Sequence, residues 1–543
     1  MFSMTGCDKV MVLQRNQEES AQEESAQEEN VYVDPMDYSI DILKRYNLPD
    51  FSRMDAEDQE KYVNNLQIMK KIQTLNLKKE DFVYPEQNMD SVKNAVDEKK
   101  KSVQSLFKES VVFNGNTSDE LQQCIDSNMN KIIEIRSAAI DFNATVTMPS
   151  NTCIKGNGVK ITTESRIESA FLVENKENVI MSGIQIEWGF QYGIYVIDTN
   201  NIEILDCTIN CLDQKPVVVV GDCGYVMIHD NNFEENQNGG IYFDGNINYG
   251  EISANIIKNN YGTSNWMAGV VLCGVEIQNK KDIWEKFDEN HHFPQKDTLY
   301  SEINCPHNII VADNYVENNN ASGIYGDGAY LCYLTGNMVR NNDKEGICLD
   351  YGSFGCYLYD NTFERNGRRI NQTDKDLEMD FVLDGGRLED GSAKSKLPAI
   401  SLDNTAYNVL LNNVVSENYG GGIKMVRTVV RCLIAENIVK NNNMGQSDDF
   451  HFFGIELGSA IADEEATEMD FAADYENIIC RNTISGNHYS GIFIGEGGYV
   501  NDVFDNVIMQ AQMFSIEAVS TMFNSIVNNT ADKDVRNEYV AGK

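Results

Sequence analysis

The chain has 543 residues, with Lys+Arg at 44 against Asp+Glu at 84, giving a formal charge of −40. That length exceeds a single compact core and implies several domains or a repetitive fold, while a field of that sign repels phosphates and excludes nucleic acid as an electrostatic partner. A hydrophobic share of 42% with only 8 Pro excludes wholesale disorder, and no apolar run reaches the roughly 18 residues of a membrane-spanning helix.

In chain order, residues 1–36 read as a disordered acidic tether. Gln17-Glu18-Glu19-Ser20-Ala21 repeats in register from Gln22 and again, imperfectly, from Gln27, and its like charges keep it extended. Ahead of it, Met4-Thr5-Gly6-Cys7 resembles the end of a bacterial lipoprotein signal, in which a Cys after a small residue is lipidated. That resemblance implies contact with a membrane only through a lipid anchor at Cys7, and an extracellular or cell-surface location. The count of 13 Cys is odd, and they do not form the close pairs of a zinc site or a small disulfide scaffold. Cys332, Cys356 and Cys432 recur at one place ahead of a turn and read as small buried hydrophobes. Unpaired thiols suit the cytosol or an anaerobic exterior.

Residues 37–110 form an α-helical region. Tyr62, Leu66, Met69, Ile72 and Leu75 fall at helical spacing, and Val92, Val96, Val103 and Leu106 mark a second helix. Thr117-Ser118-Asp119-Glu120 then opens a short amphipathic helix with Leu121, Cys124 and Ile125 on one face. Such a helix covers the open end of a stack.

From there the chain repeats. A Gly-Ile step recurs at Gly193, Gly240, Gly323, Gly346, Gly422, Gly454 and Gly491, and Gly323 to Gly346 and Ala399 to Gly422 are each 23 residues. Asn314, Asn337 and Asn361, then Asn413 and Asn437, then Asn482, Asn506 and Asn529, keep the same beat of 23 or 24. Short β-branched runs between Asn and Gly turns make units too small to bury their own apolar face, so copies must stack. Asn at one corner fits a left-handed turn and can hydrogen-bond to its copies above and below. The fold class is all-β: a right-handed parallel β-helix of about 23-residue coils over residues 111–530, with insertions near 276–308, 367–398 and 457–480 and a tail at 531–543. With Met148-Pro149-Ser150-Asn151-Thr152 and Ile154-Lys155-Gly156-Asn157-Gly158 as first coils, the chain resembles the pectin-lyase-like right-handed β-helix superfamily. The resemblance implies activity on polysaccharides, as a lyase, hydrolase, epimerase or transferase, or a place in a tailspike, and its flat faces allow trimers.

Along the strand that follows each Gly-Ile step, the second and fourth residues face outward. Asp244, Asp327, Asp350 and Asp403 hold fourth positions. Tyr242, Tyr325, Cys348, Ser401, Lys424 and Glu456 hold second positions. Coils about 4.8 Å apart make Asp327 and Asp350 neighbours, and adjacent carboxylates cannot both ionise freely, which suits an acid–base pair. Asp327, Asp350 and Asp403 are the candidate catalytic residues. Asp244, Tyr242, Tyr325, Lys424, Arg427, Glu456 and His451 are candidate substrate contacts, with Tyr242, Tyr325 and Phe493 exposed to stack on sugar rings. Gly422-Ile423-Lys424-Met425-Val426-Arg427 is similar in outline to the polygalacturonase strand that binds a substrate carboxylate, but that family's Asp-Asp pair and Gly-His-Gly are missing. Trp284, His291, His292, Arg368, Arg369, Asp384 and Arg387 sit in the insertions, which would wall one cleft. His229 reads as a structural turn residue. No cofactor is required, although Ca²⁺ would suit the Asp cluster. Three readings stand: an enzyme cleaving or transferring glycosidic bonds of a polysaccharide or oligosaccharide, a calcium-dependent polysaccharide lyase or epimerase, and a non-catalytic surface rod that binds glycan.

Overall fold

A computed structural model describes residues 86–262, 264–274, 305–350, 353–369, 397–444, 452–459, 474–486, 489–495, 497–499, 501–519, 521 and 524–538. The tether, Cys7, the Tyr62–Leu75 stripe, most of the three insertions and His451 lie outside the described residues.

The chain is a right-handed parallel β-helix of about 14 turns. Each turn passes through three sheets in the same order. In one turn, Ile324–Asp327 lies in sheet I, Tyr333–Thr335 in sheet II and Met338–Arg340 in sheet III. The next turn repeats them as Ile347–Asp350, Tyr357–Tyr359 and Thr362–Glu364. The pairings are parallel and keep register, as in Ile324↔Ile347, Leu334↔Leu358 and Val339↔Phe363, except for shifts between Lys155 and Val159, between Asp403 and Thr405 and between Lys424 and Val426. The stack begins at Glu109–Phe113 and continues to Val535–Glu538, so residues expected in the tail add a strand. It also resumes at Asp474–Tyr475 and Ile478–Cys480, inside the span read as an insertion.

The inward residues form one continuous core from Phe113 to Ala518. The recurring Gly is required by close approach between coils. A Cβ at Gly422 would stand 2.6 Å from Val439 Cγ1, and one at Gly323 would collide with Val339 Cγ1. Both glycines therefore stay bare whatever their φ.

The Asn column is a continuous amide ladder. Asn361 Nδ2 donates to Leu334 O at 2.8 Å and to Asn413 Oδ1 at 3.0 Å, while its Oδ1 accepts from Asn337 N and Nδ2 at 3.0 and 2.9 Å. The ladder runs from Asn231 to Asn529 across every interruption of the beat, including Asn255 to Asn314 and Asn437 to Asn482. A second ladder, from Asn236 to Asn442, lines the corner between sheets III and I. At the corner between sheets I and II, Asn408, Asn477, Asn501 and Asn524 share one column with the buried thiols Cys332, Cys356 and Cys432. The left-handed turn residue is the one before the ladder Asn, such as Asp313, Asp360, Asn412 or Asp505, each with φ between 55° and 58°. The ladder Asn is selected for its amide, and its neighbour tolerates the turn.

Two helices are described. Helix α2 (Ser118–Ser127) has a complete capping box between Thr117 and Glu120 and buries Leu121 and Ile125 over the first coil. Helix α1 (Glu86–Gln104) lies on the outer face of sheet II. Its Val92 and Val96 pack with Met227, Ile310 and Tyr333, and Val103 packs with Phe107, Cys153 and Ile180. Leu106, expected on this helix, follows its end and is exposed, and Phe107 takes the buried place. A polar clasp fixes the helix. Gln104 Nε2 donates to both oxygens of buried Glu203 at 3.0 Å, and Lys100 Nζ lies 3.5 Å from Glu203. His229 bridges Glu203 at 3.0 Å and Asp230 at 2.7 Å. These partners hold Glu203 below the usual carboxylate range against the opposing effect of its burial.

Asn361→Ala removes an amide that satisfies four buried groups, so it should destabilise the solenoid by about 2–4 kcal/mol. A clear fall in the thermal midpoint is expected, whereas Met338→Ala, exposed on sheet III, should leave it unchanged.

Candidate functional site

Sheet I carries the chemistry. Its fourth-position row reads Val220, Asp244, Cys273, Asp327, Asp350 in register. Asp403 belongs to the following coil, with Val426 beyond it. The strand Val270–Cys273 therefore stands between Asp244 and Asp327, with Cys273 in the fourth position. Asp244 instead accepts from its own strand, with Tyr242 OH at 2.9 Å from Oδ2.

Asp327 and Asp350 face each other across adjacent coils and are only 3% and 7% exposed. The Tyr325 hydroxyl lies between them, 3.2 Å from Asp350 Oδ2 and 3.5 Å from Asp327 Oδ2. A phenol has one proton to give, so it serves one carboxylate at a time. Burial first, then the charges of Asp350 and Asp327, push the Tyr325 phenol far up, so it remains a donor at every working pH. Tyr325 is buried rather than exposed, because its hydroxyl is taken by the carboxylates and its ring meets Trp266 edge-on at 5.9 Å. It is a bridge between the acids, with no face open to a sugar. Tyr242 and Phe493 are half-buried, and Phe493 stacks on Phe453 at 4.3 Å.

The two thiols of this face are inert. Burial raises Cys273, with Asp244 adding to it, and burial raises Cys348 well above its ordinary value, with Glu345, Asp350 and Asp403 adding to it. Neither supplies a thiolate at neutral pH.

Farther along the second-position row, Ser401, Lys424, Glu456 and Phe493 follow one another. Lys424 Nζ pairs with Glu456 Oε1 at 3.1 Å. Two residues expected as separate substrate contacts thus bind each other. Arg427 belongs to the strand Ile423–Val430, and its side chain lies outside the described residues, as does His451. Among the described residues no cluster of three or more His, Cys, Asp or Glu is arranged to hold a metal ion.

Two groups at this face escaped sequence reasoning. Lys215, in the turn before the strand Val217–Val220, donates to the carbonyls of Asn238 and Trp266, the latter at 2.7 Å, and lies 4.9 Å from the centre of the Tyr242 ring. Burial lowers its ammonium to about 8. The strand it precedes has no Gly-Ile step, so the repeat gave no reason to look there. Asp474 lies fully buried at the rim of sheet I, accepting from Val429 N at 3.0 Å and Gly458 N at 2.6 Å. Burial raises it to about 7, and Asp403 and Glu456 add to the rise.

At the three interruptions of the beat, the described residues end at Gly274, Arg369 and Ser459 and resume at Cys305, Leu397 and Asp474. Gly274 follows the sheet I strand Val270–Cys273, Ser459 closes another, and Leu397 leads into a third. All three interruptions are rooted on the borders of the sheet that carries the carboxylates.

Residues 169–363 match the family profile described as right handed beta helix region. No curated protein matches the chain. Among solved structures, the chain is similar to the A-module of Azotobacter vinelandii mannuronan C-5 epimerase AlgE4, at 12% identity, 74% of this chain, 94% of that one and a TM-score of 0.46. It is also similar to the periplasmic alginate epimerase AlgG, at 11% identity, 78% and 84% coverage and a TM-score of 0.39. A third is the DFA-IIIase of Arthrobacter chlorophenolicus A6, at 13% identity, 67% and 90% coverage and a TM-score of 0.36. Likeness at this level says nothing about which residues act, or on what.

Asp474 makes stability depend on pH. Its folded value lies above its unfolded one near 3.8, so the folded state keeps a proton that the unfolded state releases. That contribution is whole below about pH 4 and is lost as pH rises to about 7, on the order of 4 kcal/mol. Urea melts at pH 5 and pH 7.5 should show the wild type losing stability between them relative to Asp474→Asn, whose side chain does not titrate.

Proposed function

We propose that this protein is a carbohydrate-active enzyme that cleaves or transfers glycosidic bonds of a polysaccharide or oligosaccharide on the outer face of sheet I. The observation that carries this reading is the pair Asp327 and Asp350, buried, adjacent in register and bridged by one phenol. Water screens buried like charges poorly, so the pair holds one proton of its own, and the Tyr325 phenol, which keeps its proton, donates to the carboxylate left charged. One carboxyl then serves as general acid toward the leaving oxygen, and the other as base or nucleophile. Asp403, one coil on, orients the water or acceptor. Asp244 and Tyr242 lie on the approach from the N-terminal side, with the Lys424–Glu456 pair on the other. Interruptions rooted on both borders of the same sheet fit a cleft, since long loops on a rigid scaffold carry function. A polysaccharide substrate goes with a location outside the cell or at its surface. No helix among the described residues is long and apolar enough to cross a membrane.

The test uses the full chain on a polysaccharide panel, with calcium or with chelator, following both reducing ends and unsaturated sugars. Asp327→Asn and Asp350→Asn should each lower kcat by about 10²–10⁴-fold with the fold retained by circular dichroism. Unsaturated or epimerised products that require calcium would replace this reading with a lyase or epimerase. Glycan binding without turnover would make the protein a surface rod.

A further inference from the structure

The sequence contains 3 Trp, and the two that are described both face solvent, Trp188 at 53% exposure and Trp266 at 42%. Large aromatic rings usually contribute most of their area to a core. Here both occupy the same corner, where the chain turns from sheet III into sheet I. Trp188 precedes the strand Phe190–Ile197 and Trp266 precedes Val270–Cys273. The register Ile194↔Val217↔Ile241↔Val270 places them three coils apart, about 14 Å along the solenoid axis. Sheet I carries the half-buried rings of Tyr195, on the coil of Trp188, and Tyr242, one coil before that of Trp266. At the far end Trp266 touches Tyr325, the phenol that bridges Asp327 and Asp350.

The charges along this line disfavour an anionic chain. Lys160 is paired with Glu187 at 3.1 Å and Arg166 with Asp213 at 3.1 Å, both beside Trp188, while Lys215 donates to backbone carbonyls. Basic groups at this corner are thus engaged, and the line leads into Asp244, Asp327 and Asp350 on a chain of charge −40.

We infer that Trp188, Tyr195, Tyr242 and Trp266 form a binding track for a neutral polysaccharide, laid along the solenoid axis and delivering its sugar rings to the Asp327–Asp350 pair. This rests on the reading of that pair as the catalytic site and adds the substrate class: an extended, uncharged glycan rather than a uronate polymer or a short sugar. Apolar ring faces of the sugars lie on the aromatic rings, and their hydroxyls meet the carboxylates without charge repulsion.

The test measures affinity of the full chain for neutral gluco-, xylo- and manno-oligosaccharides from disaccharide to octasaccharide, and for oligogalacturonate and oligomannuronate of the same lengths, by calorimetry. For at least one neutral series, affinity should rise with length. Trp188→Ala should weaken the long chains by about three- to tenfold while leaving disaccharides unchanged, and Trp266→Ala should weaken both. Binding of the neutral chains should be flat with added NaCl, because no ion pair is screened. Tighter binding of the uronates, absence of binding to every neutral series, or a Trp188→Ala protein with undiminished affinity for long chains would overturn the track. Turnover is read separately on the same proteins. Cleavage that ignores Trp188→Ala would sink the track and leave the catalytic reading standing, whereas length-dependent binding without cleavage would do the reverse.

Discussion

Everything in this structure depends on coils holding strict register over their neighbours, and the buried asparagine amide enforces it. A side-chain amide has two donors and two acceptor sites. At Asn361 all are used, partly on the coil before and partly on the coil after. A slip by one residue would leave several buried polar groups unpaired at once, each costing about 1–3 kcal/mol. The apolar core prefers any register that keeps its faces inward, and the ladders reduce that choice to one. That constraint also creates the site, because Asp327 and Asp350 are neighbours only while their coils are in phase.

Register explains why the molecule tolerates long interruptions. The ladder passes from Asn255 to Asn314, from Asn361 to Asn413 and from Asn437 to Asn482 with the same bonds as between consecutive coils. Loop closure costs little more as a loop lengthens, so a segment can leave the stack if the amides on either side still meet. The scaffold that positions the carboxylates keeps its bonds on either side of each interruption.

The solenoid was legible because its physics repeats. The Gly column reports coil contacts too close for a Cβ, and the Asn column reports the amide ladder, so each appears in the sequence at the length of a coil. The same logic placed Asp327 beside Asp350. What the sequence concealed was whatever depends on one coil alone. The strand Val270–Cys273 puts a thiol in the fourth-position row between Asp244 and Asp327. Tyr325 was read as an exposed platform because alternation tells inward from outward. It cannot tell that an outward ring is covered and its hydroxyl taken by two carboxylates. Asp474 lay in a stretch read as an insertion and gave no signal, since its burial comes from coils far from it in the chain.

The outward face of sheet I is thus divided by chemistry along its length. Toward the N-terminal coils it is aromatic, from Tyr195 through Tyr242, with Trp188 and Trp266 at its border. At its centre it is acidic and buried, and toward the C-terminal coils it closes on itself through Lys424–Glu456 and Phe453–Phe493. A ligand that exploited the acids alone would need a positive charge, and one that exploited the rings alone would need no buried carboxylates. A neutral sugar chain satisfies both, because its hydroxyls donate to carboxylates and its ring faces are apolar. The division follows from the scaffold: parallel coils repeat position but not identity, so a gradient of chemistry along the axis needs only one substitution per turn.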